Sequence, residues 1–335
     1  MPQYNNPVVS IICDTYNHVN YLAECLDSLV NQQTNFSFEI LVHDDASNDG
    51  TDLIVKQFSE KYPDLIKPII QKENQYSKGV SIWKNFQAPR IKGKYVCICE
   101  GDDYWIDKHK LQKQFDFLEN NSEYGMVYSK VKIFNQEQNQ ITGTYGASYS
   151  AHTEIYEHNL IPTLSVMMRS VYYIQFLDFM EINKLNNVWK MGDYPLWIWI
   201  AEKSKIHFID EYTAVYRVLR ESMSHSSDEV KNYKFRESSF DIQLFFLDYY
   251  EYDRVKYQDR KVYENTIKFR WETRRLKQYH SIKEASRYLN KQGYKWLSFY
   301  INQYSFPYAP KFYLNILRAI NKKIIKSNWI KKPML

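Results

Sequence analysis

Three short polar stretches of this chain combine residue types that suit metal, phosphate or base recognition. The most acidic is Glu100-Gly101-Asp102-Asp103, which directly follows an apolar run at residues 95–99. Paired carboxylates on a tight turn can hold a hard divalent cation such as Mn²⁺ or Mg²⁺, with phosphate oxygens and waters as its other ligands. The same residues could instead form a solvated turn before a helix at residues 108–118, with Asp107 as its cap.

A second acidic stretch, at residues 44–51, follows the apolar run at residues 38–42. If Asp45 began an EF-hand loop, the twelfth position would be Lys56 instead of the required Glu, so a calcium loop is excluded. An Asp at a strand end could accept a hydrogen bond from the imide N–H of a uracil ring. Alternatively, the stretch is an ordinary turn with a helix cap.

The third stretch, Asp14-Thr15-Tyr16-Asn17, follows the first apolar run and adds a ring that could stack on a base. No Gly-x-Gly-x-x-Gly follows this run, and the sequence contains no Walker A motif. Dinucleotide binding and P-loop chemistry are therefore not indicated.

Alternating strand and helix patterns surround these three stretches. The almost wholly apolar run at residues 8–13 predicts a strand buried on both faces, and apolar-rich runs predict further strands at residues 38–42, 65–70, 95–99 and 126–134. Apolar residues at helical spacing predict helices near residues 21–30, 51–58, 81–91 and 108–118. This alternation indicates an α/β fold with a mostly parallel sheet flanked by helices. Ligands bind such sheets beyond the carboxyl ends of the strands, where all three stretches fall.

Composition predicts a globular protein of about two domains, since the chain has 335 residues, 44% apolar and 25% charged. The pattern changes near residue 228, which predicts an α/β domain at 1–228 and a mainly helical region at 229–335. Four cysteines without zinc spacing, and no apolar stretch long enough to span a bilayer, indicate a cytoplasmic protein.

The formal net charge of +5 comes from the C-terminal tail. Residues 311–335 contain no acidic residue and seven basic ones: Lys311, Arg318, Lys322, Lys323, Lys326, Lys331 and Lys332. Apolar residues at helical spacing between them, from Phe312 to Ile324, predict a basic amphipathic helix. Such a helix could lie on the anionic inner face of the cell membrane, or it could pack against its own domain.

In this order and spacing, the stretches resemble the nucleotide-diphospho-sugar-binding half of family 2 glycosyltransferases, which have the GT-A fold. The resemblance covers roughly residues 7–225 and is nearest to bacterial enzymes of capsular or lipopolysaccharide synthesis. It rests on Val9-Ser10-Ile11-Ile12 with Thr15-Tyr16-Asn17, Asp44-Asp45-Ala46-Ser47, and Glu100-Gly101-Asp102-Asp103-Tyr104-Trp105 with Lys110-Leu111-Gln112-Lys113-Gln114.

The resemblance implies roles for the residues that would bind the donor. Thr15 and Tyr16 would line the base, and Asp45 would bind the uracil. Asp103, with Asp102 beside it, would bind the metal–diphosphate and be exposed to the ligand crevice. Gly101 stands where the family's Asp-x-Asp pattern has its first Asp, which leaves open whether Asp102 or Glu100 supplies a second contact.

Three further residues match the family at looser motifs. Asp193, in Met191-Gly192-Asp193-Tyr194, corresponds to the catalytic base of inverting members; read from the residues alone, it could be only a helix cap. Lys78 lies where some members place a cation against the diphosphate. Arg217 could act in catalysis or form a structural salt bridge.

The implied function is metal-dependent, inverting transfer of a sugar from a UDP-linked donor to a hydroxyl of a glycan or lipid-linked acceptor, without nucleic acid. Two other functions fit the sequence less well. A sugar nucleotidyltransferase would show a Gly-x-Gly-x-Arg loop after the first strand, which is absent here. A non-catalytic glycan-binding or assembly subunit would not need the acidic residues at Asp45, Asp102, Asp103 and Asp193.

Overall fold

The computed structural model describes residues 6–156, 158–186, 188–222, 225–226, 229–250 and 287. The chain divides into two compact units, Met1–Gln243 and Leu244–Leu335. The domain boundary near residue 228 stays a prediction, and the basic tail at residues 311–335 lies outside the described residues. Within the described residues, we find no helix whose length and apolar content would let it cross a bilayer.

The elements of the described chain alternate as the sequence predicts in the N-terminal half. The strands are β1 (Val9–Thr15), β2 (Phe38–Asp44), β3 (Ile66–Ile70), β4 (Tyr95–Ile98), β5 (Tyr104–Trp105), β6 (Tyr124–Asn135), β7 (Gln140–Tyr145), β8 (Met167–Arg169), β9 (Lys205–Val218), β10 (Glu221–Ser222) and β11 (His225–Ser226). The helices are α1 (Leu22–Val30), α2 (Thr51–Lys61), α3 (Lys110–Asn120), α4 (Ser170–Ile182), α5 (Asp193–Lys203) and α6 (Glu229–Tyr249).

The main sheet has the strand order β3-β2-β1-β4-β8-β6-β9-β5, with β7 beside β6. The strands β1 to β4 pair in parallel, as do β6 and β9. β8 runs antiparallel between β4 and β6, and β5 and β7 are also antiparallel to their partners. The α/β class is therefore confirmed, and the sheet is mixed because these three short strands reverse direction.

Burial on both faces explains why the first strand is mainly apolar. Ile11, Ile12 and Cys13 of β1 are completely buried. Helix α1 covers one face of the sheet with an apolar stripe at a spacing of three and four residues, made of Leu22, Cys25, Leu26 and Leu29. Because this core fixes β1 on both faces, the polar residues that follow it are held in place at the sheet's edge.

The segment predicted as a helix at residues 81–91 forms a π-helical turn, Trp83–Gln87, and then a 3₁₀ turn, Ala88–Arg90. Pro89 lacks the N–H that a continuing α-helix would need. The buried Gln87 side chain also donates hydrogen bonds out of the turn, to the Asp14 carboxylate and to the Leu41 carbonyl at 3.1 Å. π-Helical turns occur frequently at functional sites.

Candidate active site

The three polar stretches meet at the carboxyl ends of β1, β2 and β4. These strands are parallel neighbours, so their carboxyl ends lie at the same edge of the sheet. Backbone hydrogen bonds then tie the loops together: Asp45 N–H donates to the Thr15 carbonyl at 3.0 Å, and Gly101 N–H donates to the Asp14 carbonyl at 2.9 Å. The sequence-predicted residues of all three stretches are thus brought into one region.

The loops after β1 and β2 are linked through side chains and contain strained backbone. Asn17 N–H donates to Ser47 Oγ at 2.9 Å, and Asn48 N–H donates to Asn17 Oδ1 at 3.0 Å. Asn17 and Ala46 have φ angles of +57° and +62°, in the left-handed region that Ala rarely adopts. Such strain costs about 1–3 kcal/mol per residue and clusters at ligand-binding sites.

Asp45 organises the turn that carries Lys78. Its two carboxylate oxygens accept hydrogen bonds from Gln75 N–H at 2.7 Å and from Tyr76 N–H at 3.0 Å. Each oxygen keeps a second lone pair, which a base could use. The Lys78 ammonium pairs with Glu73 in this conformation. Uracil binding by Asp45 and diphosphate contact by Lys78 therefore stay predictions.

Thr15 and Tyr16 differ sharply in exposure. The Tyr16 ring is 45% exposed at the edge of the sheet, which leaves a face open for stacking. Thr15 is only 3% exposed, and its hydroxyl has no hydrogen-bond partner within the described part of the chain. Their role in lining the base stays a prediction, which the open ring of Tyr16 suits better than the buried Thr15.

Glu100, Asp102 and Asp103, which we call the acidic turn, can share one ligand. One carboxylate oxygen from each lies within 4.8 Å of the others. An all-oxygen donor set with room for phosphate and water suits a hard cation such as Mn²⁺ or Mg²⁺ and does not suit soft metals. The residues therefore fit the divalent cation expected from the sequence.

The electrostatics of the acidic turn favour a cation. Glu100 is exposed as a residue, but loss of water around its carboxyl raises the pKa of Glu100 to about 8, and three nearby carboxylates add to the effect. In order of effect, they belong to Asp102, Asp193 and Asp14. Burial and the Asp102 charge also raise the pKa of Asp103 well above its usual range. Like charges held this close resist ionisation unless a cation neutralises them.

Arg217 holds the acidic turn in place. Its backbone N–H donates to Asp103 Oδ1 at 2.7 Å, and its Nε donates to the Asp102 carbonyl at 2.7 Å. Its two terminal nitrogens bond Gln136 Oε1 at 2.7 Å and Glu24 Oε2 at 2.5 Å. All three guanidinium nitrogens are thus engaged in a side chain that is 5% exposed. This geometry favours the structural alternative for Arg217.

Asp103 lies deeper than the sequence predicts. We expected it to be exposed to the ligand crevice, and this expectation is wrong because Asp103 is only 3% exposed. The cause is the strand β9, whose Arg217 N–H takes up one of its carboxylate oxygens. Asp102 and Glu100 are the more accessible members of the acidic turn.

Close packing explains the glycine of the acidic turn. A Cβ atom at Gly101 would lie 2.7 Å from Thr15 Oγ1, 2.8 Å from Thr15 Cβ and 3.0 Å from His18 Nδ1. Real Cβ atoms essentially never come within 3.0 Å of such neighbours. Any larger residue here would push the acidic turn away from the end of β1.

We expect Gly101→Ala to lower the melting temperature, since overpacking costs about 1–3 kcal/mol. It should also weaken Mn²⁺-dependent binding of UDP, because the displaced turn carries the predicted metal ligands. Thermal melts and calorimetry measure the two effects. Gly143→Ala is the matched control, since the nearest atom to its added Cβ is Ile133 Cδ1 at 3.8 Å. Equal behaviour of the two variants would contradict this account of Gly101.

Asp193 begins the buried helix α5, and its carboxylate is anchored. Thr163 Oγ1 donates to Asp193 Oδ2 at 2.7 Å, and Tyr194 N–H donates to Oδ1 at 2.8 Å. The cap residue is Gly192, so Asp193 is the first helical residue. Burial raises the pKa of Asp193, and the two hydrogen bonds oppose this rise only in part. A raised pKa makes the carboxylate a better acceptor for a proton, as a general base requires. The charge of Asp193 adds to the rise in the pKa of Glu100, and Gly192 beside it packs against Trp83, which bonds Asp14 at the end of β1.

Two residues beside this crevice escaped sequence reasoning. Thr163 donates a hydrogen bond to Asp193, which lies 30 residues further along the chain, and no pattern in the sequence links the two. Trp83 Nε1 donates to Asp14 Oδ2 at 3.0 Å, from a segment that the sequence predicts only as a helix. The aromatic richness of the chain was the one available signal for Trp83.

Comparison with known proteins agrees with this geometry. Residues 10–174 match the family described as Glycosyl transferase family 2. The UDP-Glc:alpha-D-GlcNAc-diphosphoundecaprenol beta-1,3-glucosyltransferase WfgD of Escherichia coli is 28% identical over 65% of this chain and 79% of its own. The putative teichuronic acid biosynthesis glycosyltransferase TuaG of Bacillus subtilis is 26% identical over 65% of this chain and 82% of its own.

Solved structures share the fold. S. aureus TarS in complex with UDP-GlcNAc superposes with a TM-score of 0.59 at 22% identity, covering 84% of this chain and 78% of that one. The mannosyltransferase PcManGT from Pyrobaculum calidifontis, with GDP-Man and Mn²⁺, gives 0.51 at 14% identity, covering 98% and 89%. The fold is therefore that of the GT-A glycosyltransferases, as predicted.

The match at residues 10–174 identifies a glycosyltransferase family 2 domain in this chain. More similar stretches occur in uncharacterised proteins of Mycobacterium tuberculosis and Mycobacterium bovis, which are 34% identical over 131 residues. Those stretches cover 38% of this chain, and the chain spans 36% of the length of these relatives.

Proposed function

We propose that this protein transfers a sugar from a UDP-linked donor to a hydroxyl of a glycan or lipid-linked acceptor, with inversion, in the synthesis of a bacterial surface polysaccharide. The observation that carries the proposal is that Asp14 bonds both the acidic turn, through Gly101 N–H, and Trp83, which packs on Gly192 next to Asp193. The names of WfgD and TuaG, which include a UDP-sugar, a lipid diphosphate and teichuronic acid, support the donor and acceptor classes.

The donor would be held by the loops at the carboxyl ends of the strands. Tyr16 would stack on the base and Thr15 would lie beneath it, while Asp45 accepts the imide N–H through a free lone pair. Lys78 would reach the diphosphate only after leaving Glu73, with which it is paired here. Both residues of that pair are well exposed, so the exchange costs little, about 0–1 kcal/mol.

The acidic turn would hold Mn²⁺ or Mg²⁺ mainly through Asp102 and Glu100. Asp103 is more deeply buried and would contribute from the inner side of the same site. When bound, the cation supplies neutralisation of the negative charge on the departing nucleoside diphosphate. Arg217 keeps the turn in position through the Asp102 carbonyl and Asp103. A rigid ligand set of this kind is needed for donors to bind in one orientation.

Asp193 would take the proton of the attacking hydroxyl. Inversion requires that the hydroxyl approach the anomeric carbon from the face opposite the diphosphate, through an oxocarbenium-like transition state. The bond between the anomeric carbon and the diphosphate oxygen breaks as the new glycosidic bond forms, and the proton passes to a carboxylate oxygen of Asp193. Thr163 fixes the rotation of that carboxylate through Oδ2.

A thermal-shift panel tests the proposed function. Binding to the native state raises stability by about 2.7 kcal/mol when a ligand is present at one hundred times its Kd. We expect UDP-sugars with Mn²⁺ to raise the melting temperature, and GDP-mannose to do so less. A panel without any nucleotide effect, in the presence or absence of Mn²⁺, would contradict the proposal. Binding without any turnover would favour the glycan-binding subunit instead.

The cytoplasmic location and the peripheral contact with an anionic membrane remain part of the proposal. The contact would use the basic tail at residues 311–335, where each basic residue near such a surface contributes about 1 kcal/mol. A lipid-linked acceptor would place the substrate at the same surface.

A further inference from the structure

Trp83 spans the space between the end of β1 and the start of α5. Its Nε1 donates to Asp14 Oδ2 at 3.0 Å. At its other edge, the six-membered ring lies over Gly192, where an added Cβ would be 3.5 Å from Cζ3 and 3.8 Å from Cη2. The side chain is partly exposed, so part of the indole surface faces solvent.

The two contacts of Trp83 connect the loop that would bind the donor with the start of the helix that carries the proposed base. Asp14 is the last side chain before Thr15 and Tyr16, which belong to the donor side. Gly192 directly precedes Asp193, the proposed base. The Asp14 carbonyl also accepts the Gly101 N–H of the acidic turn at 2.9 Å, so Trp83 connects the support of that turn to the start of α5.

The transferred sugar must occupy this space. Its anomeric carbon is bonded to the diphosphate, which the acidic turn would hold, and it must also face the hydroxyl that Asp193 deprotonates. A sugar ring between these two points would lie beside Trp83, which contacts Asp14 on one side and Gly192 on the other. Aromatic faces pack well on the C–H faces of other rings, and an indole supplies the largest such surface.

We infer that Trp83 packs against the transferred sugar of the donor and is a specificity-determining residue of that subsite. This inference rests on the proposed function. It accounts for a π-helical turn at this place, because the wider turn allows the indole to reach both Asp14 and Gly192. It also accounts for glycine at 192, since a larger side chain there would compete with the sugar for the indole surface.

The indole is held rigidly for this role. Gln87 is fully buried and donates to Asp14 Oδ1, the carboxylate oxygen that Trp83 does not use. Arg90 Nη2 in turn donates to Gln87 Oε1 at 2.6 Å. The ring of Tyr173 packs on Trp83, with the two centroids 5.7 Å apart. A rigid aromatic surface loses little conformational entropy on binding, which raises its contribution to affinity.

Calorimetry with two ligands tests the inference. We would titrate the wild type, Trp83→Leu and Trp83→Phe with UDP, and then with UDP-glucose and UDP-N-acetylglucosamine, all with Mn²⁺. Trp83→Leu should leave UDP affinity within about twofold and weaken the better UDP-sugar about threefold to tenfold, as expected for one aromatic contact. Trp83→Phe should retain part of that contact. Phe117→Leu is the control, since its ring stacks on His207 instead.

Each contrary outcome has its own meaning. Equal weakening of UDP and UDP-sugar by Trp83→Leu would overturn the inference and make Trp83 a structural residue. UDP-sugar affinity that is unchanged in Trp83→Leu would overturn it as well. A wild type that binds none of these nucleotides would overturn the proposed function itself, which the variants alone cannot do.

Discussion

Asp193→Asn is expected to reduce transfer by about 10²–10⁴-fold, the usual contribution of a positioned general base. The substitution keeps the size of the side chain: the amide oxygen can still accept from Tyr194 N–H, and the amide NH2 can donate to Thr163 Oγ1, which now accepts instead of donating. It removes only the ability to take a proton at neutral pH. Donor affinity should therefore persist, because the acidic turn and Asp45 are unchanged.

The same substitution at another helix start separates chemistry from helix stability. Asp52 lies in the first turn of α2 and pairs with Lys56 at 2.7 Å on the surface. Asp52→Asn loses a comparable interaction with the helix dipole, worth about 0.3–1 kcal/mol, and touches neither the acidic turn nor the proposed base. We expect it to leave turnover unchanged. Turnover above about a tenth of wild type in Asp193→Asn, at saturating acceptor, would place the base elsewhere.

Removal of the divalent cation is expected to abolish transfer. EDTA should bring turnover to background, and added Mn²⁺ or Mg²⁺ should restore it. Asp102→Asn should remove the dependence of donor binding on Mn²⁺, because an amide oxygen is a weaker ligand than a carboxylate oxygen for a hard cation. Turnover assays and calorimetry with and without Mn²⁺ measure the two effects.

Asp102 is the better residue for this test, although the sequence pointed first to Asp103. Asp103→Ala would leave the buried N–H of Arg217 without its acceptor, at a cost of about 1–3 kcal/mol. Its effect on binding would then mix lost coordination with a displaced turn. Asp52→Asn again serves as the control. Full turnover in EDTA-treated protein, or unaltered Mn²⁺ dependence in Asp102→Asn, would exclude a catalytic cation at this turn.

Much of the fold could be predicted because it depends on local patterns. Strand β1 is mainly apolar because both of its faces are buried, and the apolar residues of α1 that cover it recur at helical spacing. The polar residues after β1, β2 and β4 share one edge since those strands are parallel. These relations follow from the alternation of strands and helices, which a single sequence displays.

The details of the site depend on contacts between distant segments, which a single sequence does not display. Arg217 and Glu24 are 193 residues apart, and their ion pair was not predictable. From the sequence alone, Gly101 is only a missing acidic residue in the motif. The structure shows that Thr15 packs so close to it that a larger residue would not fit. The burial of Asp103 has the same origin, since it comes from the distant strand β9.

A crystal structure of the protein with UDP and Mn²⁺, using the anomalous signal of manganese, tests the central claim most directly. The account predicts one manganese peak within coordination distance of Asp102, bridged to the diphosphate, with the base beside Tyr16 and Asp45. The terminal phosphate, to which the sugar would be bonded, should point toward Asp193. Trp83 should lie beside the space between that phosphate and Asp193. UDP bound in the crevice without a metal peak at the acidic turn, or bound elsewhere on the protein, would contradict the account.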